Sequence, residues 1–436
     1  MILEPGREPV IDVGLLRADE IAVRLNGTFY SSGNVFRNDL VITIHKQKLV
    51  VNGIYFYDPE VLILTPEDTA TFTVKNVVFG IGFHWERNED LTFKGELCFK
   101  TENGKVRLIN RINLEDYLKS VIASEMSALA SDALLKAHAV MSRSWLIAQL
   151  IPKPLQGNHN SASSDEIIRW YDREDHTGFD VCADDHCQRY QGITRITNEK
   201  ALKAIEETRG LVLKYEDEIC DARFSKCCGG VTERFDTCWE EENPPYLQPV
   251  FDGTGTDTGN YSDEAGANAF ILKDVDAFCN TSDTKILDQV LNDYDRETPA
   301  FFRWEEQLSA LDVKRLLKKK IGLEVGDIVD LIPMDRGASG RIFRLKIVGS
   351  ENEIIIGKEL EIRKALSESH LLSSAFVVNK RTDKTTGSTQ FILHGAGWGH
   401  GVGLCQIGAA VMGEKGYSFE EILNHYFKQT SLEKIY

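Results

Sequence analysis

The chain has 436 residues, of which 42% are hydrophobic, and its formal net charge is -17. A chain of this length exceeds what one hydrophobic core can hold, so we expect two or three lobes of mixed structure. The acidic balance, without any run of basic residues, excludes nucleic acid and an anionic membrane surface as partners, because both attract clustered Lys and Arg. No stretch approaches the roughly 18 apolar residues of a membrane span, and the first residues, MILEPGREPV, lack a signal-peptide pattern.

Residues 1–105 contain short stretches that are typical of β-strands. They are rich in β-branched or apolar residues, and turn pairs such as Asn26-Gly27 and Asn103-Gly104 separate some of them. The predicted strands are residues 21–25, 40–44, 61–64, 70–74 and 97–100. We therefore expect a β-rich N-terminal lobe that serves as a scaffold, because nothing in it gathers catalytic residue types.

Two helical patterns follow between residues 113 and 150, with Glu125 at their junction. In the first pattern Leu114, Leu118 and Val121 recur at helical spacing, and in the second a face of small residues follows Ser131, which can act as an N-cap. The pattern predicts a helical hairpin in which Glu125 ends the first helix among apolar and small residues. Desolvation at such a position raises the pKa of a carboxyl group and makes it a general acid. The alternative for the position alone is a solvated glutamate at a helix end.

The same segment resembles the signature of the stage II sporulation protein D family (SpoIID/LytB domain), which are peptidoglycan lytic transglycosylases. The matching stretches are Leu114-Glu115-Asp116-Tyr117, Ala123-Ser124-Glu125-Met126, Lys136-Ala137-His138-Ala139-Val140 and Ser142-Arg143-Ser144-Trp145. The resemblance implies that Glu125 is the catalytic residue and that Arg143 contributes to substrate binding. The segment departs from the family at Ser127, where proline is usual, and at Ser144-Trp145, which replace a threonine-tyrosine pair. Both departures concern packing more than chemistry.

Four side chains that can bind a metal lie within twelve residues after the hairpin: His176, Cys182, His186 and Cys187. Imidazole and thiolate are the usual zinc ligands, although the spacing is not that of a zinc finger. The resemblance implies a zinc ion held by His176, Cys182 and Cys187 close to the catalytic glutamate, with His186 as a substitute ligand. A disulfide and plain reduced cysteines are the alternatives.

Two further stretches resemble parts of the family's substrate groove. Gln188 and Tyr190 match a glutamine-x-tyrosine-x-glycine step. Gly229 and Gly230 end a loop whose sequence pattern in the family is aromatic-histidine-x-serine-x-glycine-glycine. Ser225 and Cys227 stand here in place of the histidine and the serine, which weakens the expectation at those two positions.

The chain contains nine cysteines in all. The odd number leaves at least one of them unpaired in a monomer, and the adjacent Cys227 and Cys228 are poorly placed to pair with each other. A bridge from Cys228 to Cys238 is one arrangement that the sequence leaves open.

Residues 263–375 alternate helix and strand signals, with a predicted helix at 308–320 and strands at 328–332, 342–347 and 353–356. We expect an α+β insertion here. Ser339-Gly340-Arg341 and Ile362-Arg363 also resemble family landmarks, which keeps the insertion within one functional unit.

The stretch from Phe391 to Gln406 has glycine at positions 395, 397, 399, 401 and 403. This spacing predicts an extended segment with one bare backbone face that a ligand or another chain segment can approach. A nucleotide-binding loop is excluded, because no placement satisfies G-x-G-x-x-G. The stretch resembles the family's closing glycine-tryptophan-glycine-histidine-glycine motif, although Cys405 replaces a serine. The resemblance implies that Trp398, His400 and Gln406 border the cleft and bind substrate, and the alternative is simple packing of Trp398 and His400.

These patterns predict an α+β fold with four regions. They are a β-rich N-terminal lobe at 1–105, a SpoIID-like catalytic core with the helical hairpin at 106–262, an α+β insertion at 263–375, and a Gly-rich C-terminal segment at 376–436 that closes the cleft.

The resemblance implies a lytic transglycosylase that cleaves peptidoglycan glycan strands, preferably peptide-free, between MurNAc and GlcNAc. No second carboxylate is evident by motif, which suits a reaction in which Glu125 alone donates and then accepts a proton. The alternative is a non-catalytic glycan-binding protein that stimulates a cell-wall amidase. The expected partners are glycan strands and, in the alternative, the amidase. No cofactor is required for this chemistry, zinc is the candidate metal, and the expected location is the cell envelope or periplasm.

Overall fold

The computed structural model describes residues 6–65, 67–81, 86–127, 129–151, 161–163, 165–170, 176–184, 186–196, 199–256, 259–291, 295–297, 300–385 and 387–436. The fold is α+β, and its N-terminal region is rich in β-strands, as predicted. None of the described helices is both long enough and apolar enough to cross a membrane.

The elements are numbered in chain order. The N-terminal strands are β1 (Val10–Ala18), β2 (Glu20–Ser31), β3 (Asn34–His45), β4 (Lys48–Val51), β5 (Ile54–Phe56), β6 (Glu60–Ile63), β7 (Thr71–Phe79), β8 (Arg87–Lys94), β9 (Glu96–Glu102) and β10 (Lys105–Asn113). The next elements are α1 (Leu114–Glu125), α2 (Asp132–Leu150), β11 (Ser161–Ala162), β12 (Glu166–Ile168), β13 (Val181–Cys182), α3 (Glu199–Glu207), β14 (Leu211–Tyr215), β15 (Glu218–Ile219) and β16 (Phe224–Ser225).

The remaining elements belong to the second half of the chain. They are α4 (Glu264–Ile271), α5 (Thr284–Val290), β17 (Arg303–Ser309), α6 (Ala310–Ile321), β18 (Ile328–Arg336), β19 (Ile342–Gly349), β20 (Glu353–Gly357), α7 (Glu359–Ala365), β21 (Phe376–Thr382), β22 (Thr389–Ala396), β23 (Leu404–Cys405), α8 (Gln406–Glu414), α9 (Phe419–Tyr426) and β24 (Ser431–Lys434).

The N-terminal lobe consists of two sheets with a shared core. One sheet has the strand order β5-β4-β3-β2-β7-β8, and the other has the order β13-β1-β10-β9-β6. In β2, Ile21, Val23 and Leu25 alternate with more exposed residues, so one face of the strand is buried. The five strands predicted in this lobe are confirmed as β2, β3, β6, β7 and β9.

The helical hairpin of α1 and α2 is confirmed. The first helix ends at Glu125, and the Ser131 side chain caps the second by accepting a hydrogen bond from the Leu134 amide at 3.3 Å. The turn between them is fastened from outside by Gln289 of α5. The backbone carbonyl of Gln289 accepts from the Ser127 amide at 3.0 Å, and its side-chain oxygen accepts from the Ser131 amide at 2.9 Å. The turn that follows Glu125 is therefore held at both of its ends.

The second half of the chain has a core of its own, formed around α6, α7 and the strands β18 to β20. The predicted helix and the three predicted strands of the insertion are confirmed as α6, β18, β19 and β20. Two sheets cross the predicted region boundaries, because β12 pairs with β20 and because β22 lies between β17 and β21. Backbone hydrogen bonds therefore tie the insertion to the hairpin region and to the C-terminal segment.

The prediction of an extended Gly-rich segment is wrong beyond β22. Gly397, Gly399, Gly401 and Gly403 have φ values of 78°, 93°, 78° and 74°, so the chain turns repeatedly instead of running straight. It turns around the buried guanidinium of Arg341, which donates to the Gly399 carbonyl at 3.1 Å. A Cβ on Gly401 would lie 2.5 Å from the Cζ of Arg341. The glycines thus allow other chain segments to approach closely, and this part of the prediction is confirmed.

Candidate functional site

Glu125 lies at the end of α1 with only 6% of its surface exposed. Its Oε1 accepts a hydrogen bond from the backbone amide of Arg189 at 3.3 Å. The segment after the histidine and cysteine residues therefore contacts the predicted catalytic carboxylate directly. The alternative interpretation, a solvated glutamate at a helix end, disagrees with this burial.

A second buried carboxylate, Asp295, shares Arg189 as a partner. The Arg189 side chain lies 3.5 Å from Asp295, and the Lys226 ammonium lies 3.1 Å from the same Oδ2. Burial alone raises the pKa of Asp295, but the charges of Lys226 and Arg189 outweigh it and lower the pKa below its ordinary value. Asp295 is therefore an ionised group held by two cations, which suits it to orienting Arg189 more than to exchanging protons.

Gln188 and Tyr190, the residues that flank Arg189, point into the interior. Gln188 accepts a hydrogen bond from the Tyr117 hydroxyl at 3.4 Å and donates to the Ser142 carbonyl at 3.4 Å. The Tyr190 ring stacks on Tyr117 with centroids 5.0 Å apart. Their exposed fractions are 1% and 2%. Protein groups occupy their polar atoms, so in this structure they position α1 and Arg189, and their predicted contact with substrate stays a prediction.

Gln406 belongs to the same interior network. Its amide nitrogen lies 3.1 Å from Nε2 of His138 in α2, and Nδ1 of that ring lies 3.1 Å from the Ser142 hydroxyl. Burial lowers the pKa of His138 to about 3, so the ring is neutral at physiological pH. The start of α8 is thus bonded to the hairpin, and the predicted binding role of Gln406 remains untested.

Trp398 and His400 lie in the turning Gly-rich segment. The Trp398 backbone pairs with that of Cys227, at 3.0 Å and 2.8 Å, and the side chain is 5% exposed. The His400 ring packs edge-on against Trp239, and its Nδ1 accepts from the Val402 amide at 3.0 Å. Burial, followed by the charges of nearby arginines, lowers the pKa of His400 well below its ordinary value. His400 is therefore a neutral, half-buried ring, and its predicted role at a glycan stays a prediction.

Gly229 and Gly230 let the loop after β16 pass close to the Gly-rich segment. Gly229 has φ 82°, and a Cβ there would lie 3.0 Å from the Gly397 nitrogen. Gly230 has φ 115° and faces the Phe270 ring. Both are buried, so the structure shows a packing requirement for these glycines, and their predicted contact with substrate remains a prediction.

The position of Arg143 does not agree with its predicted role in substrate binding. Its exposed fraction is 0%, and it forms a paired set of hydrogen bonds with Glu115 of α1 at 2.9 Å and 2.8 Å. It also donates to the Leu211 carbonyl at 3.0 Å. A side chain without exposed surface cannot touch a glycan in this conformation. Arg143 instead joins α1, α2 and β14.

The three predicted zinc ligands and the substitute ligand His186 come together in space. The ligand atoms of His176, Cys182, His186 and Cys187 all lie within 4.8 Å of one another. His176 Nε2 and His186 Nδ1 are 3.2 Å and 3.5 Å from the Cys187 sulfur. Ligands of a tetrahedral zinc ion lie roughly 3.3 to 3.8 Å apart, since Zn–N and Zn–S bonds are about 2.0 to 2.3 Å. The donor set therefore fits zinc, and the His186 nitrogen lies close enough to be a fourth donor.

The histidine–cysteine cluster is electrostatically close to Glu125. Burial raises the pKa of Tyr117, and the charges of Cys187, Cys182 and Glu125 add to the effect. Hydrogen bonding to Cys187 lowers the pKa of Cys182, which favours the thiolate that metals bind. The cluster and the predicted catalytic carboxylate thus both lie near one buried tyrosine.

Sequence reasoning missed Arg189, Lys226, Gln289 and Asp295. Arg189 could have been suspected, because it stands between Gln188 and Tyr190. The other three follow no motif, and their contacts join distant parts of the chain, as in the bonds from Gln289 to Ser131 and from Arg189 to Asp295, with separations of 158 and 106 residues. Such contacts carry no local sequence signal.

The fold and the site define an α+β protein whose helical hairpin has a buried glutamate at the end of its first helix, near a histidine–cysteine cluster. The family model "Stage II sporulation protein" matches residues 102–215, which include both features, and "Domain of unknown function (DUF8618)" matches residues 233–403. In residues 102–215 the chain thus contains a region similar to the stage II sporulation protein D family (SpoIID/LytB), as the sequence resemblance predicts.

Curated relatives agree with this assignment. Stage II sporulation protein D of Bacillus subtilis is 23% identical over 77% of this chain and 78% of its own length. An uncharacterized protein of Brachyspira hyodysenteriae is 24% identical over 86% of this chain and 84% of its own length. The amidase enhancer of Bacillus subtilis is 27% identical over 72% of this chain, which corresponds to 40% of that protein.

Proposed function

We propose that this protein acts in the bacterial cell wall as a peptidoglycan lytic transglycosylase, with Glu125 as its general acid and base. The observation that carries the proposal is the placement of Glu125. It ends α1, is 6% exposed, and is held by the Arg189 amide within the segment that matches the family. The match of residues 102–215 to the family model and a relative called stage II sporulation protein D support a role in the cell wall.

The proposed reaction needs one proton-exchanging group. Glu125 donates its proton to the oxygen that links C1 of MurNAc to GlcNAc, and the C1–O bond breaks as positive charge develops at C1. The 6-hydroxyl of the same MurNAc then attacks C1 and gives its proton to the Glu125 carboxylate. The products are a 1,6-anhydro end and a free GlcNAc hydroxyl. No water is consumed, and Glu125 regains its starting proton.

We also propose that the histidine–cysteine cluster holds zinc. His176, Cys182, His186 and Cys187 would be its ligands, and a closed site of four protein ligands is typical of structural zinc. When bound, the ion would supply a cross-link within residues 176–187. The segment that it stiffens leads directly to Arg189, whose amide holds Glu125.

The test is the Glu125→Gln variant on purified peptide-free glycan strands, with mass spectrometry of the products. The change removes the exchangeable proton and preserves the shape of the side chain. Loss of a general acid lowers the rate by roughly 100- to 10,000-fold. Glu420→Gln is the matched control, because it makes the same change at an exposed glutamate. Undiminished release of anhydro-ended sugars by Glu125→Gln would remove Glu125 from the mechanism.

The same digestion distinguishes a transglycosylase from a hydrolase when it is carried out in water enriched in heavy oxygen. Attack by the 6-hydroxyl leaves no label in the new MurNAc end. Attack by water would place one labelled oxygen at C1, and that result would contradict the proposed reaction while leaving Glu125 as a general acid.

The amidase enhancer among the relatives supports a second candidate function, a non-catalytic glycan-binding protein that stimulates a cell-wall amidase. Wild-type protein that binds glycan and accelerates peptide release by an added wall amidase, yet yields no anhydro product, would favour this function. In that case Glu125→Gln should leave the stimulation unchanged.

A further inference from the structure

Four buried side chains outside the proposed site lie together next to the paired strands β16 and β23. They are Cys228, Asp252, Cys279 and Cys405, with exposed fractions of 2%, 0%, 0% and 0%. Their sulfur and carboxylate oxygen atoms all lie within 4.8 Å of one another. The four residues come from separate segments of the chain. We call this group the three-cysteine cluster.

The spacing within the three-cysteine cluster suits a shared metal ion more than a disulfide. The sulfur atoms of Cys228 and Cys279 are 3.6 Å apart. A disulfide bond is about 2.05 Å long. Two thiolates on one tetrahedral zinc ion, each with a Zn–S bond of about 2.3 Å, lie roughly 3.8 Å apart. The observed distance is therefore close to the edge of a zinc tetrahedron.

Backbone amides already point at the sulfur atoms. The Cys228 amide donates to the Cys405 sulfur at 3.2 Å, and the Gly230 amide donates to the Cys228 sulfur at 3.4 Å. Hydrogen bonds of this kind stabilise a thiolate more than a thiol, because they favour the charged form. They also orient the sulfur atoms, as outer hydrogen bonds do around metal ligands.

Asp252 is held in the same way. Its Oδ2 accepts from the Cys279 amide at 2.9 Å, and its Oδ1 accepts from the Tyr426 hydroxyl at 2.6 Å. A fully buried carboxylate is costly unless a cation or several donors compensate for its lost hydration. A divalent cation among three thiolates and this carboxylate would supply that compensation.

The residue types also suit a soft metal ion. Cys405 stands where the resembled motif has serine, and Cys227, next to Cys228, replaces another serine. The Cys227 thiol lies beside those of Cys279 and Cys405, so a fourth sulfur borders the cluster. A group of thiols at one buried point is the type of site that a soft metal ion prefers.

We propose that Cys228, Asp252, Cys279 and Cys405 form a second zinc site, distinct from the histidine–cysteine cluster. All four positions are filled by protein ligands and buried, so the site is structural and not catalytic. It joins the loop that contains Gly229 to the strand that precedes Gln406. The ion would thereby fix the two segments that flank the Gly-rich turn.

The first experiment measures zinc per protein chain by elemental analysis after removal of loosely bound metal. Cys279→Ser and Asp252→Asn each remove one ligand with little change of volume, and each should lower the zinc content by one equivalent relative to wild type. Cys98→Ser is the matched control, because Cys98 is equally buried and lies in β9 outside both clusters. Unchanged zinc content in both cluster variants would overturn the proposal.

A second experiment leaves the three-cysteine cluster intact, so it does not depend on whether its variants fold. Cys182→Ser disrupts the histidine–cysteine cluster, and native mass spectrometry should still find one zinc ion on the folded protein. A mass without zinc would overturn the proposal, as would a disulfide between Cys228 and Cys279 in the unreduced peptides. Iron in place of zinc would keep the metal site and refute its assignment to zinc. Neither experiment depends on glycan cleavage.

Discussion

Replacing Arg143 by methionine separates the predicted role of this residue from the role that the structure gives it. The substitution removes a guanidinium that is wholly buried and leaves the Glu115 carboxylate, which is 3% exposed. Glu115 would keep two donors, the Gly210 amide at 3.2 Å and the Tyr436 hydroxyl at 2.6 Å. Breaking a buried ion pair by removing one partner costs about 3 to 5 kcal/mol. We therefore expect Arg143→Met to lower the free energy of unfolding by about that amount.

The measurement is urea unfolding followed by circular dichroism, with a double-mutant cycle. Because Glu115→Leu combined with Arg143→Met removes both charges, the double variant should lose less stability than the sum of the two single variants. Arg17→Met is the control, since Arg17 pairs with Glu102 at the surface and such a pair contributes at most about 1 kcal/mol.

Two outcomes would contradict the structural role of Arg143. If Arg143→Met unfolded within about 1 kcal/mol of wild type, the buried pair would not matter as argued. If it also lost affinity for glycan strands while staying folded, Arg143 would be a substrate-binding residue, as the sequence resemblance implies.

Two further predictions concern stability. Burial lowers the pKa of His138 from 6.5 in the unfolded chain to about 3 in the folded protein. The stability that the neutral ring contributes is therefore complete above about pH 6.5 and is lost as the pH falls from about 6.5 toward about 3. Between about pH 6.5 and about pH 4 wild type should lose about 3 kcal/mol more than His138→Gln, at about 1.4 kcal/mol per unit, and parallel stability curves would contradict this. A Cβ at Gly403 would lie 2.1 Å from the Arg223 carbonyl, whereas one at Gly416 meets nothing within 4 Å, and both glycines have positive φ. Gly416→Ala should cost roughly 1 to 2 kcal/mol of unfolding free energy and Gly403→Ala clearly more, and equal losses would show that the contact is relieved without cost.

Much of the site's local structure follows from neighbouring residues. Helical spacing in α1 predicts where that helix ends, and the cap at Ser131 is confirmed by its hydrogen bond. The histidine–cysteine cluster could also be predicted, because its members lie within twelve residues and a short loop brings them together. These features depend on contacts a few residues apart, which a sequence pattern displays.

The sequence alone therefore determined the α+β class, the β-rich N-terminal lobe, the hairpin and the position of Glu125 at the end of its first helix. Only the tertiary structure decided that Arg143 is buried against Glu115, that the glycines turn around Arg341, and that the three-cysteine cluster exists at all. The hydrogen bond from the Cys228 amide to the Cys405 sulfur joins residues that are 177 positions apart in the chain. Burial and long-range proximity depend on how whole elements pack, and no local periodicity records that packing.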